Sequence, residues 1–220
     1  MEFIYQANEL KSATSARKNT FLLTNGLGGY ASVTGVYSTP RCDQGLLVAA
    51  KTAPNVRINL VHRMTEKLYC GDTAYFLSTQ EFADATPVED GYRWLRKYAI
   101  DYTPVWNYEV DGVSVERHLC MEHGKNTAAV IYQIENNSYE PCTLVLRPYF
   151  KFAPKEDAIR QRKRLYYAGG VVTCDARRVK INTDGGVKFV KEVQQEANTV
   201  FAVIAHGFLE LRGTVVVGVS

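Results

Sequence analysis

The stretch Val105-Trp106-Asn107-Tyr108-Glu109-Val110, then Asp111-Gly112, then Val113-Ser114-Val115-Glu116-Arg117-His118-Leu119 decides the fold. On either side of Asp-Gly, apolar and polar residues alternate, the period of a strand with one buried face. Asp-Gly suits a two-residue turn in which both residues take positive φ, so the stretch predicts an antiparallel hairpin. Thr127 to Glu135 and Cys142 to Tyr149 repeat the arrangement around Asn136-Asn137-Ser138-Tyr139 and predict a second one.

Working outward, the same signals recur. Glu2 to Gln6, Gly45 to Ala50, Arg57 to Lys67 and the Leu68 to Leu77 segment turning at Gly71-Asp72 all read as strands. Two strands are expected to flank Ser38-Thr39-Pro40-Arg41 between Tyr30 and Val48. Ser78 to Gly91 reads as a loop, Tyr92 to Ile100 as a strand or one helical turn, and Ala153 to Arg164 as a short helix or a loop. Further short strands between glycine turns follow from Leu165 to Val219. Short strands spaced every ~8 to 12 residues predict an all-β fold, an antiparallel β-sandwich or barrel. The 220 residues, 46% of them hydrophobic, suffice for one domain spanning 1–220 with a proper core.

Composition removes several function classes. The net charge of +3 is small and the basic residues are scattered apart from Arg160, Arg162, Lys163 and Arg164, so nucleic acid is not an expected partner. No apolar run approaches the ~18 residues of a membrane span, and Met1 to Gln6 does not open like a secretory leader. Five cysteines without a C-x-x-C pair suit reduced thiols in a cytoplasmic protein and predict no structural metal.

The richest local signal is Phe21-Leu22-Leu23-Thr24-Asn25-Gly26-Leu27-Gly28-Gly29-Tyr30. Gly26-x-Gly28-x-x-Ala31 matches a dinucleotide fingerprint in spacing. That motif must open a helix whose N–H groups face a pyrophosphate. Here Ser32 to Pro40 is β-branched and glycine-containing, and the acid expected about 20 residues on is missing around Ala49 to Lys51. No dinucleotide or other cofactor is expected.

Thr24 to Ser32 followed by Gly45-Leu46-Leu47-Val48-Ala49, then Asp90-Gly91-Tyr92-Arg93-Trp94-Leu95, Pro104-Val105-Trp106-Asn107-Tyr108, and Glu116-Arg117 leading to Met121-Glu122-His123-Gly124-Lys125-Asn126-Thr127 resemble, in the same order, the N-terminal domain of bacterial and archaeal glycogen debranching enzymes, the amylo-alpha-1,6-glucosidase family. The resemblance implies a supersandwich like the N-domains of glucoamylases and galactose mutarotases. It also implies a support for a catalytic (α/α)6 barrel, in cis or in trans, that carries the catalytic acids and is absent from these 220 residues. No catalytic residue is therefore expected here. One departure stands out: where the family usually reads Asn-Thr-Arg-Arg-Tyr-His-Gly before Gly45, Thr39 to Gln44 keeps only Arg41. The chain is expected to be a piece of a longer protein, a split gene product, or a divergent stand-alone module.

An α-glucan or oligosaccharide is the expected ligand. Sugars offer C–H faces to aromatic rings and hydroxyls to planar polar groups, which nominates Asn25, Gly28, Tyr30, Arg41, Asp90, Arg93, Trp94 and Trp106 as substrate-binding. Against this, both tryptophans read more readily as core anchors, Trp106 above all. Glu81, Asp84, Glu89, Asp90 and Asp101 read as solvated loop acids rather than a glycosidase pair. His118 and His123 are expected to flank a strand end, and together with His62 and His206 to have surface or turn roles; Cys42 and Cys120 read as buried, inert thiols.

Two alternatives remain open: a carbohydrate-binding or assembly module without hydrolase activity, favoured by the divergent Pro40 to Gln44, and a sugar mutarotase or epimerase. The last needs His118 or His123 within hydrogen-bond reach of a carboxylate in a concave site. A domain that normally supports a barrel should also expose an apolar face, so self-association is expected.

Overall fold

The computed structural model describes residues 2–11, 19–52, 55–80, 89–158 and 164–183 in full, and the backbone of 188–190, 201–204 and 207–215. In chain order the first strands are β1 (Phe3–Gln6), β2 (Leu23–Thr24), β3 (Tyr30–Ser32), β4 (Gly45–Thr52), β5 (Val56–Cys70), β6 (Thr73–Phe76), β7 (Thr79–Gln80) and β8 (Glu89–Asp90). A 3-10 turn at Gly91–Arg93 leads into β9 (Leu95–Ile100), β10 (Pro104–Val110), β11 (Val113–Met121), β12 (Thr127–Asn136) and β13 (Cys142–Pro154). The last are β14 (Tyr166–Ala168), β15 (Val171–Cys174), β16 (Arg177–Thr183), β17 (Lys188–Val190), β18 (Phe201–Ile204) and β19 (Gly207–Val215).

Among the described residues these form an antiparallel β-sandwich. One sheet runs β1-β9-β10-β11-β12-β19-β16-β15-β14 and the other β17-β18-β13-β5-β4-β3-β2, with β6 also on β5. The 15 residues of β5 serve two neighbours on one edge, β4 along its first half and β6 along Lys67 to Cys70, while β13 covers the opposite edge. The sheets meet through one core. Trp106, Tyr108, Val113, Val115, Leu119, Val130 and Tyr132 come from the first sheet and Leu60, Met64, Leu68, Leu144 and Leu146 from the second.

The Asp111-Gly112 hairpin forms as its sequence dictates. Val110 pairs with Val113, and Asp111 and Gly112 both take positive φ, 53° and 76°. Buried and partly exposed residues alternate strictly along Val113 to Leu119. Tyr92 to Ile100, read as either a strand or one helical turn, holds one after the other: the 3-10 turn ends at Arg93 and β9 follows from Leu95.

Four expectations need correction. β12 and β13 do not form a hairpin: β12 lies between β11 and β19 in one sheet, and β13 pairs β5 in the other. The link arches between layers, stabilised by Asn136, whose Nδ2 donates to the Glu140 carbonyl and whose Oδ1 accepts from Ser138. Within the Ser78 to Gly91 loop a two-strand ladder, β7 with β8, forms at its ends; 81–88 lie outside the described residues. Ala153 and Pro154 finish β13 instead of starting a helix, and 159–163 lie outside the described residues. His118 does not flank a strand end, because it sits mid-strand between Val105 and Ile131.

A charged cluster lies inside the core. Arg117, on the inward face of β11, is fully buried against the equally buried Glu66 of β5, to which its Nη1 donates. Its Nη2 donates to the Tyr108 hydroxyl at 2.5 Å, and the Tyr132 hydroxyl donates to Glu66 at 2.6 Å. Its guanidinium lies 3.3 Å from the Tyr37 ring centroid and 4.5 Å from that of Trp106. A buried ion pair needs such partners to offset its lost hydration. Burial and the Glu66 charge push the Tyr37 and Tyr132 phenols well above their ordinary value.

Candidate functional site

The glycine-rich turn lies beside a cleft. Gly26 and Gly28 take φ of 79° and 92°, which residues with a Cβ rarely adopt. A Cβ on Gly29 would stand 2.6 Å from Asn25 Nδ2 and 2.8 Å from Asn126 Oδ1. Fully buried Asn25 closes the turn: its Oδ1 accepts from Leu27 and Gly29, and its Nδ2 donates to the Lys125 carbonyl and Asn126. Asn126 in turn exchanges hydrogen bonds with the Ala50 backbone. The two matching blocks, Thr24 to Ser32 and Met121 to Thr127, are thus halves of one clamp.

Beyond this clamp, Phe21, Leu22, Tyr30, Arg41, Asp43, Arg57 and Lys155 line a cleft of about 350 Å³. That volume falls in the range of small-ligand sites. The Tyr30 hydroxyl donates to the Asp43 carbonyl at 2.5 Å, and Arg57 Nε donates to the Gly28 carbonyl at 2.6 Å. Burial, aided by Asp43, pushes the Tyr30 phenol up to about 12, so it remains a hydroxyl donor at neutral pH. Arg41 pairs with Asp43 at 3.1 Å on the cleft rim. The cleft thus combines an aromatic ring, an exposed apolar side chain in Leu22, and several fixed hydrogen-bonding groups.

The divergent segment before Gly45 shapes this cleft, and it is held through its backbone. Lys151 Nζ donates to the Cys42 carbonyl at 2.9 Å, Asn59 Nδ2 to that of Gln44 at 2.7 Å, and His62 Nδ1 approaches the same Gln44 carbonyl at 2.9 Å. A carbonyl only accepts, so His62 carries its proton on Nδ1. Burial, with Lys151 and Arg63 nearby, lowers His62 to about 4, and burial also lowers Lys151. These anchors do not depend on the anchored side chains, a physical reason why 40–44 can diverge while the loop stays in place.

The remaining nominated residues lie elsewhere. Asp90 and Arg93 pair at 3.3 Å, and Trp94 meets Tyr75 edge to face at 5.2 Å. Tyr75 is opposite Leu68 on β5, eleven residues from Arg57, so roughly 35 Å of strand separates this group from the cleft. Trp106 has no exposed surface: its Nε1 donates to the Gly35 carbonyl, and its ring packs on Phe21, Tyr37 and Tyr98. It anchors the core and offers no face to a ligand. Asn25 likewise spends its polar atoms on the turn. Glu89, read as a solvated acid, is buried and accepts from Arg63, Thr65 and Ser78. Glu81, Asp84 and His206 lie outside the described residues.

A third feature lies on the outer face of the larger sheet, where His118, named above as needing a carboxylate within reach, meets Glu116, which the sequence reading did not single out as that carboxylate. His118 Nε2 lies 2.7 Å from Glu116 Oε1, and Asn107 Nδ2 donates to Glu116 Oε2 at 2.6 Å. Partial burial pushes the Glu116 carboxyl up, but the hydrogen bonds from His118 and Asn107 outweigh it and hold the group below its ordinary value. Glu116 borders a pocket of about 220 Å³ with Arg96, Asn107, Glu109, Ser114 and Gln133. The i, i+2 spacing of Glu116 and His118 on a strand was the available signal. Among the described residues no group of three or more His, Cys, Asp or Glu is arranged to hold a metal. Nor is any helix there long and apolar enough to cross a membrane.

The family described as glycogen debranching enzyme, N terminal, matches residues 19–201. The chain belongs to that family. The match spans the glycine turn, the cleft, the Asp111-Gly112 hairpin and the buried ion pair. No curated protein matches the sequence. Among solved structures, a bacterial glucoamylase complexed with acarbose is similar at 7% identity and a TM-score of 0.49, over 91% of this chain and 32% of that one. A candidate kojibiose phosphorylase from the human microbiome is similar at 11% identity and a TM-score of 0.49, over 97% of this chain and 32% of its own. The chain spans about a third of the length of these structures, and its family membership does not rest on either.

Proposed function

We propose that this chain is the non-catalytic N-terminal domain of a glycogen-debranching-type glycoside hydrolase, supporting an (α/α)6 barrel and contacting α-glucan through the cleft beside the glycine turn. The observation that carries this reading is the cleft itself: Tyr30, Arg41 and Arg57 converge on about 350 Å³ within the matched segment. Tyr30 supplies a ring face for pyranose C–H groups, and Arg57 and Arg41 supply planar donors for hydroxyls. Asn25 and Gly28 hold the turn, and Trp94 with Arg93 lies beside Tyr75, opposite the far end of β5, too distant to share one short oligosaccharide. Hydrolysis belongs to the barrel, so the domain alone binds without cleaving. Calorimetric titration with maltooligosaccharides tests this: saturable binding that weakens at least about tenfold, roughly 1.4 kcal/mol, in Tyr30→Ala and is unchanged in Trp94→Ala supports it. Equal affinity in Tyr30→Ala, or glucose released from branched glucan by the chain alone, overturns it.

The paired His118 and Glu116 favour a second reading, a sugar mutarotase or epimerase, since an acid–base pair beside a pocket is what proton transfer at an anomeric or α-carbon requires. Polarimetry on freshly dissolved aldohexoses decides it. Acceleration abolished by His118→Ala supports that reading, and the uncatalysed rate refutes it.

A further inference from the structure

Two cysteines far apart in sequence face each other across β5 and β13. Cys70 is opposite Cys142 in an unbroken part of the antiparallel ladder, and both are thiols. The Gly71 N–H donates to the Pro141 carbonyl, one residue outward on each strand, which makes Cys70 and Cys142 a non-hydrogen-bonded pair. Cα atoms in such pairs are about 4.5 Å apart, inside the span a disulfide bridges. Both side chains lie on the core face: Cys70 continues Leu68 and Cys142 continues Leu144 and Leu146 in the two-residue period. Cys70 is buried, and its thiol is pushed up by burial and by the proximity of Cys142. Cys142 is partly exposed.

We propose that Cys70 and Cys142 are a reversible thiol–disulfide pair that closes when the protein meets a hydroperoxide. The sulfur of the partly exposed Cys142 attacks the peroxide, breaking its O–O bond and giving up its proton, to give a sulfenic acid and an alcohol or water. The Cys70 thiol then attacks that sulfur, the S–O bond breaks, and water leaves as the S–S bond forms. Two thiols and one hydroperoxide thereby become one disulfide, one alcohol or water, and one water; an external thiol reverses the step. The strands are already in register, so closure needs no change of pairing. It staples the end of the sandwich where Gly71 approaches Glu140, Gly112 approaches Ser138 and Tyr75 bonds Asp111.

The test is made on the full chain. After treatment with hydrogen peroxide, alkylation of residual thiols and digestion without reductant, mass spectrometry is expected to find a Cys70–Cys142 peptide that dithiothreitol abolishes. The oxidised chain is expected to unfold about 10 °C higher, because the bridge closes a long loop in the unfolded chain. Cys142→Ser should lose both effects, and Cys70→Ser should accumulate sulfenic acid at Cys142. Cys70 and Cys142 both recovered alkylated after oxidation, or Cys142 bridged to another cysteine, overturns the proposal; the mapping on the unsubstituted chain does not depend on either variant folding.

Discussion

Acidification should loosen the cleft loop through His62. The residue is 8% exposed, its ring lies against the Gln44 carbonyl, and burial lowers it from 6.5 to about 4. The unfolded chain therefore binds a proton at His62 between pH 6.5 and 4 that the folded chain refuses, so stability falls as pH drops through that window. Above 6.5 the contribution is fully present, and below about 4 both states are protonated and no more is lost. The gap between 6.5 and about 4 corresponds to roughly 3 kcal/mol, or about 10 °C in midpoint for a chain of this size. Urea unfolding at half-unit pH steps measures it, with His62→Gln as the reference that has no imidazole to titrate. The difference between the two proteins should change by about 3 kcal/mol across the window, and maltooligosaccharide affinity should decline over the same range. A pH-independent difference would refute the assignment of a neutral, buried His62.

Arg117→Met should destabilise by about 3–5 kcal/mol in denaturant unfolding, because it leaves Glu66 charged and buried, and adding Glu66→Leu should restore most of that loss. Gly29→Ala drives a methyl into Asn25 and Asn126; an expected loss of about 2 kcal/mol and weaker glucan binding follow together, measured by melting and calorimetry. Trp106→Phe removes the bond to Gly35 and part of the core, so it should lower the melting midpoint while leaving glucan affinity within about twofold. Leu22, Leu27 and Val56, exposed near the cleft, should promote self-association of the isolated chain, seen as a concentration-dependent mass in light scattering.

The strands were legible because their period is local. Val113 to Leu119 alternates by itself, and Asp111-Gly112 fixes its partner without help from the rest of the chain. Sheet membership is not local, which is why β12 and β13 looked like a hairpin: Asn136 to Pro141 carries turn residues whether the chain doubles back or arches to the other layer. The glycine turn was legible as a turn, and Tyr30 and Arg41 do reach one cleft. Asn25 and Trp106 misled because a polar side chain or a ring has the same letter whether it meets a ligand or its own fold. Their partners, Asn126 and Gly35, are set by tertiary packing. Arg57 and Lys151 gave no signal, and His62 read as a surface or turn histidine although it is buried, since each acts on the backbone of a loop distant in sequence; Cys42, read as a buried thiol, is exposed in the loop that Lys151 holds.

The most direct test of the central claim is NMR mapping of maltoheptaose on the isotope-labelled chain. The account predicts shifts concentrated at Gly28 to Tyr30, Arg41 to Asp43 and Arg57, with Trp94 and the Glu116–His118 face silent. Shifts confined to the Glu116–His118 face or to Trp94, or none at saturating ligand, would contradict it.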